Sequence, residues 1–119
     1  MTMPRPDDAT RLYFHSLLPE DARVGVRPMF GQLAGFVNGN MFTGIFGDHV
    51  FVRLPEADRA ELLAAPGAGP FAPMAGRPMV EYVTLPEGWR AEPDRARAWV
   101  TRSLSWAATL PPKEGKKRR

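Results

Sequence analysis

The sequence predicts a two-layer α+β fold, an antiparallel sheet of about five strands with helices packed on one face, in the order α-β-β-β-β-α-β-α. Three observations predict this fold. Amphipathic helix patterns lie near both ends of the chain, short apolar runs separated by turn residues lie between them, and 119 residues suffice for one hydrophobic core. Because strands joined by tight turns pair antiparallel, the helices are left to cover one face of the sheet.

The first element is a helix over about residues 8 to 18. Asp7 or Asp8 can cap its N-terminus, and Pro19 ends it. Apolar residues with helical spacing form a broad stripe that needs burial: Leu12, Tyr13, Phe14, Leu17 and Leu18. This stripe predicts the face that packs on the sheet.

Four strand-like runs follow, over residues 24–30, 33–37, 41–46 and 49–54. Pro28 cannot donate a hydrogen bond to a neighbouring strand, so the first strand is predicted at a sheet edge or bulged at that point. Asn38-Gly39 predicts a tight hairpin between the second and third strands, since both residues tolerate positive φ. A second turn at Gly47-Asp48 leads into the fourth strand.

The second half of the chain predicts a helix over 55–65, a loop over 66–78, a strand over 79–85 and a helix from 93 to about 110. Pro55 and Pro93 suit the first positions of the two helices. The loop is rich in proline and glycine, and Phe71 and Met74 are its expected anchors into the body.

The basic charge of the chain is concentrated at its C-terminus. The formal net charge is +3, yet the last seven residues hold five basic groups and one acidic group, which leaves eleven basic and twelve acidic groups elsewhere. We therefore predict one domain over residues 1–112 and a basic disordered tail over 113–119. The tail residues that could contact phosphates are Lys113, Lys116, Lys117, Arg118 and Arg119. A solvated end without a partner is the alternative.

The sequence contains no motif that is typical of catalysis or metal binding. There is no cysteine, so disulfides, thiol chemistry and cysteine-based zinc sites are excluded. His15 and His49 are the two histidines, and neither lies in a metal-binding or catalytic motif. No apolar run is long enough to cross a membrane, and the N-terminus has no signal-peptide core. We expect a cytoplasmic protein that is not an enzyme and has no catalytic residue, metal or cofactor.

Three arginines form a candidate patch for an anion or a partner: Arg27, Arg53 and Arg77. Arg27 and Arg77 share the context Arg-Pro-Met, each at the entrance of a predicted strand. The alternative is that each arginine pairs with a carboxylate such as Glu81 or Asp48, a geometry that the guanidinium suits well.

Large apolar residues occupy both faces of the predicted strands. Met29, Phe36, Met41 and Phe51 would lie on the face that the helices do not cover. We expect these side chains to be exposed and to need a second cover, for which a partner subunit is one candidate.

Several segments resemble a known family. They are Arg27-Pro28-Met29-Phe30-Gly31, the Asn38-Gly39 hairpin with Met41-Phe42, Gly76-Arg77-Pro78-Met79 followed by Glu81-Tyr82, and the helix from Trp99 that closes in Leu110-Pro111-Pro112-Lys113. Over about residues 24 to 110 the chain resembles the N-terminal domain of the TfoX/Sxy family. The resemblance implies a small α+β domain like the two-layer fold of secretion chaperones, and it supplies no catalytic residues.

The resemblance also implies a cellular role. Full-length TfoX/Sxy proteins regulate natural competence with a transcription activator and carry a further helical domain, which these 119 residues do not include. We therefore expect a non-catalytic module that works by protein–protein contact, in transcriptional regulation and as a homodimer. One alternative is a nucleic-acid accessory protein that uses the basic tail and the arginine patch. Another is a small-ligand binder or enzyme with a pocket between the sheet and the 66–78 loop.

Overall fold

The computed structural model describes residues 8–29, 32–47, 49–72 and 80–112, and the side chain of Met29 lies outside the described part. The elements are α1 (Asp8–Leu17), β1 (Val24–Met29), β2 (Gln32–Val37), β3 (Asn40–Phe46), β4 (His49–Arg53), α2 (Glu56–Leu63), β5 (Gly69–Pro70), β6 (Tyr82–Thr84), a 3-10 helix (Glu87–Ala91) and α3 (Pro93–Ala107). The α+β class and the order of the predicted elements are confirmed. None of the helices in these ranges is long and apolar enough to cross a membrane.

The strands form one antiparallel sheet in the order β1-β2-β3-β4-β6-β5. The sheet has one strand more than the sequence predicts, because β5 lies inside the segment predicted as loop. β5 pairs Gly69 with Thr84 and Pro70 with Val83 of β6. Two residues are too few to show an alternating pattern, so this strand exists through its tertiary pairing alone.

Turn residues place the first three strands as predicted. Asn38 and Gly39 have φ angles of 52° and 82°, the positive values of a type I′ turn, and they join β2 to β3. β1 lies at the edge of the sheet, which suits Pro28. The register of β2 and β3 shifts between Gly35 and Phe36, leaving Phe42 as an extra residue on β3.

The main core lies between one face of the sheet and the helices. Phe14 and Leu17 of α1, together with Val100 and Leu104 of α3, pack there against strand residues. The strand residues of this core are Val37, Phe42, Ile45, Val50, Val52 and Val83. The predicted apolar stripe of α1 is only partly buried, because Leu12 remains 71% exposed.

The opposite face carries a second, smaller core, which corrects one expectation. Phe36, Met41 and Phe51 are buried within the chain instead of exposed. The segment after β5 returns over this face, and the ring of Phe71 stacks on that of Phe51 with centroids 4.0 Å apart. Phe71 is thus the anchor that the sequence predicts. Met74 lies outside the described residues.

The boundaries after residue 79 differ from the predicted ones. The last predicted strand is shorter in the structure, since Val80 and Glu81 form a turn before β6. The 3-10 helix that follows is absent from the prediction because its five residues carry no periodic apolar pattern. α3 ends at Ala107, and the Leu110 N–H donates to the Ala107 carbonyl in a tighter final turn.

Candidate functional site

The predicted arginine patch is not assembled from the residues described. Arg53 pairs with Glu81, with 2.6 Å between Nη2 and Oε1, as the alternative interpretation expects. Arg27 lies over the ring of Phe36 at 4.1 Å. The register places Arg27 three strand spacings from Phe51, about 14 Å, and Arg53 lies two residues further along β4. Arg77 and the basic tail 113–119 lie outside the described residues.

Most arginine charges in the described ranges are balanced locally. Six of the nine arginines there form ion pairs with carboxylates: Arg11, Arg23, Arg53, Arg95, Arg97 and Arg102. At the start of β1, hydrogen bonds from Arg23 lower the pKa of Asp21 to about 2. Much of the basic charge on the described surface is therefore paired with carboxylates of the same chain.

The two histidines occupy unrelated places. His15 lies exposed in the last turn of α1, with its ring edge-on to Phe14 at 6.0 Å. His49 is the first residue of β4, and it lines a cleft that is also lined by β5. Within the described ranges, no group of three or more histidine, aspartate or glutamate side chains is arranged to hold a metal ion.

A cleft of about 610 Å³ opens among the described residues. We call it the β5 cleft. Its walls are His49 at the start of β4, Thr84 at the end of β6, the chain from Pro66 to Ala72 around β5, and the segment from Pro86 to Glu92 around the 3-10 helix. The volume lies within the range of ordinary ligand and anchor pockets. Its position matches the pocket alternative of the sequence, beside the 66–78 loop.

Aromatic and proline side chains supply much of the wall. Phe46 and Phe71 meet edge to face with centroids 5.8 Å apart, and Trp89 on the 3-10 helix is buried except for 7% of its surface. Gly67 lets the chain turn closely against Pro86: its φ is +92°, and an added Cβ would come within 3.2 Å of the Pro86 side chain. The β5 cleft is thus held by packed, rigid elements.

Among the described residues, the acidic side chains that line the β5 cleft are Glu87 and Glu92. Glu87 begins the 3-10 helix and Glu92 follows it, and neither lysine nor arginine is among the described lining residues. Arg95, one turn into α3, places its guanidinium over the Trp89 ring at 4.6 Å and pairs with Glu92 at 3.5 Å. The described lining therefore includes two carboxylates, one of which pairs with Arg95.

Sequence reasoning missed Glu87, Trp89 and Glu92 as site residues. Trp89 has one local signal. It is a large aromatic residue in a segment without helical or strand periodicity, so its burial must come from packing against distant residues. The tertiary contact is observed, since the Tyr13 hydroxyl on α1 donates to the Trp89 carbonyl at 3.3 Å. The two glutamates have no distinguishing pattern in the sequence.

The family comparison covers both the sheet and the β5 cleft. The profile of the TfoX N-terminal domain matches residues 16–107. The chain belongs to the TfoX N-terminal domain family. The matched region of this TfoX N-terminal domain runs from the end of α1 to the end of α3 and includes every wall of the β5 cleft. A comparison with curated proteins found no match.

Proposed function

We propose that this TfoX N-terminal domain protein is a non-catalytic module that binds another protein, with an accessory role in transcriptional regulation. The β5 cleft is its proposed contact surface. The observation that carries the proposal is the combination of an open volume of about 610 Å³ with aromatic walls and an acidic rim. Protein interfaces place their energetic hot spots in such pockets, where one anchoring side chain is surrounded by packed surface.

The free edge of the sheet is a poorer candidate for this contact. The N–H of Val24 donates to the Asp21 carbonyl at 3.0 Å, so it points away from β2. Backbone groups alternate in direction along a strand, and Val26 and Pro28 therefore point the same way. Since proline has no N–H, Val26 offers the single outward amide between Val24 and Pro28. An added strand, including one from a second copy, would gain few hydrogen bonds there.

Photo-cross-linking in cells tests the proposal. The photo-reactive residue p-benzoylphenylalanine replaces Gly88 in the β5 cleft, and in the matched control it replaces Gly25 on β1. A Cβ at either glycine meets no atom within 4 Å, so both positions have open space at the point where a side chain begins. We expect one protein to be cross-linked from position 88 and not from position 25. We also expect the purified pair to bind at micromolar concentration.

Two outcomes would contradict the proposal. The first is equal cross-linking from both positions to the same set of proteins, which indicates nonspecific contact. The second is that no purified candidate binds the intact chain at micromolar concentration. Either result removes the β5 cleft as a protein-binding surface.

Small-molecule binding is a second candidate function, because a cleft of this volume also suits a ligand. A ligand that binds only the folded protein raises its melting temperature by mass action. A broad metabolite screen by thermal unfolding is the corresponding test, with the Gly88→Trp variant as the control whose cleft is filled. A rise in melting temperature that occurs in the unmodified protein and not in the variant would support small-molecule binding in the cleft. If no metabolite raises the melting temperature, small-molecule binding is excluded as a function.

A further inference from the structure

We infer that the β5 cleft accepts the guanidinium group of an arginine from the protein partner. This inference rests on the proposed function and names the chemistry of the residue that the cleft receives. It draws on three observations: the charge of the lining, the flat aromatic surface, and an arginine of the chain itself that already uses part of the site.

The charge of the lining selects a cation. Glu87 and Glu92 are its acidic side chains, and no described lining residue is lysine or arginine. Glu87 is exposed and forms no ion pair with any cation of the described residues. Glu87 begins the 3-10 helix and Glu92 follows its last residue, so the two carboxylates border the same wall of the cleft.

The aromatic walls favour a planar cation over a compact one. A guanidinium stacks on aromatic rings and forms paired hydrogen bonds with a carboxylate, whereas an ammonium is a strongly hydrated point charge. Phe46 offers partly exposed ring surface to the lining, whereas Phe71 and Trp89 are buried except for 4% and 7% of their surface. Arginine therefore fits the lining better than lysine.

Arg95 shows that this chemistry already operates at the rim. Its guanidinium lies 4.6 Å from the Trp89 ring centroid and 3.5 Å from a Glu92 carboxylate oxygen. The Arg95 side chain is 55% exposed, and such an exposed pair is weak. An incoming arginine would meet Glu87 and share or replace the Arg95 contact with Glu92.

A peptide titration tests the inference. The probe is a short blocked peptide of glycine, serine and alanine with one central arginine, compared with peptides that carry citrulline or lysine at that position. Citrulline keeps the planar shape and loses the charge. Binding to the full chain is followed by NMR, with the amides of Gly69, Thr84 and Gly88 as reporters of the β5 cleft. We expect the arginine peptide to bind about tenfold more tightly than the citrulline peptide and more tightly than the lysine peptide.

Charge-neutralising variants locate the contact. In the Glu87→Gln/Glu92→Gln double variant we expect the affinity for the arginine peptide to fall about tenfold. The matched control is Glu20→Gln/Glu56→Gln, which removes two exposed carboxylates that are not among the described lining residues of the β5 cleft. It should change the affinity less than about twofold, since distant exposed charges are screened.

Several results would overturn the inference. These are equal binding of the arginine and citrulline peptides, equal losses in both double variants, and shifted amides that lie outside the β5 cleft. A blocked single arginine that binds as tightly as the peptide would assign the site to a free small cation instead of a partner protein.

The proposed function can fail separately. If filling the β5 cleft abolishes binding of the cross-linked partner while the Glu87→Gln/Glu92→Gln variant binds it normally, the contact surface stands and the arginine inference is wrong. If the peptide behaves as expected and no protein partner binds, the recognition chemistry stands and the proposed function is wrong.

Discussion

At the residue scale, Ser103 of α3 fastens that helix to the sheet. Its buried hydroxyl lies 2.6 Å from the Phe42 carbonyl oxygen and 2.7 Å from the Arg53 carbonyl oxygen, and it accepts the Arg53 N–H at 3.2 Å. The Phe42 carbonyl belongs to the bulged residue of β3, which the regular ladder leaves without a paired residue. One serine thus joins α3, β3 and β4.

Replacing Ser103 by alanine should lower the free energy of unfolding by about 1–3 kcal/mol, because buried polar groups lose their hydrogen-bond partner. Ser105, which is exposed on the same helix, is the matched control, and Ser105→Ala should change stability by less than about 0.5 kcal/mol. Urea unfolding followed by circular dichroism measures both. A Ser103→Ala variant as stable as the unmodified protein would contradict this role.

The Asp21–Arg23 pair makes a prediction about pH. Hydrogen bonds from Arg23 lower the Asp21 pKa from 3.8 to about 2 in the folded protein. Since the folded-state pKa is depressed, the charged pair stabilises the protein above pH 3.8, and this contribution disappears as the pH falls to about 2. The stability difference between the unmodified protein and Asp21→Asn should therefore shrink over that interval, as measured by urea unfolding at a series of pH values. A difference that does not change with pH would show that the pair carries no titrating contribution.

At the element scale, β3 and β4 approach each other through Gly44. A Cβ at this position would lie 2.5 Å from Cζ and 2.9 Å from Cε2 of Phe51, and 3.1 Å from the Leu33 carbonyl oxygen. The Phe51 ring cannot yield easily, because Phe71 stacks on it and Tyr82 meets its edge at 5.7 Å. The second core thus depends on a residue without a side chain.

We expect Gly44→Ala to destabilise the protein by about 1–3 kcal/mol through this overpacking. Gly25→Ala on β1 is the matched strand control, since its Cβ would meet no atom within 4 Å, and it should be neutral. Thermal and urea unfolding of the two variants provide the comparison. Equal stability of both variants would mean that Phe51 can move aside and that the second core is loosely packed.

Elements with strong local signals could be predicted from the sequence, whereas elements made by tertiary contact could not. Asn38-Gly39 and Pro28 fix a turn and an edge by backbone chemistry alone, and the structure places both as predicted. β5 and the 3-10 helix depend on pairing and packing with distant residues, so no pattern marks them. The cover of the second face was missed for the same reason, because Phe71 returns over the sheet from outside the predicted strands.

One wall of the candidate site has a signal in the sequence, whereas the other wall has none. The proline- and glycine-rich segment indicates where a pocket can form, and its described part does line the β5 cleft. The glutamates and the tryptophan on the other wall come from residues 87–92, about twenty positions further along the chain, and β6 brings them close. The composition of the loop therefore indicates where the cleft lies, whereas its acidic and aromatic lining residues have no comparable signal in the sequence.

At the scale of the whole molecule, most arginines of the described surface pair with carboxylates, and the excess basic charge of the chain lies in residues 113–119. We expect a chain ending at Pro112 not to bind duplex DNA at physiological salt, because six of the nine described arginines pair with carboxylates. Any binding by the full chain should come from the five basic residues of 113–119 and neutralise at most about five phosphates. Fluorescence anisotropy at two salt concentrations measures both chains, and equally tight binding by the shortened chain would contradict this expectation.

The central claim is that the module acts through the β5 cleft, and calorimetric titration of the cross-linked partner tests it most directly. The partner is titrated into the unmodified protein, into Gly88→Trp, which adds a large side chain at a lining residue of the β5 cleft, and into Gly25→Trp, which adds the same side chain on β1. Both glycines leave open space for a Cβ, so both variants should fold. We expect Gly88→Trp to weaken binding at least about tenfold and Gly25→Trp to bind normally. Normal binding by Gly88→Trp, or an equal loss in both variants, would contradict it.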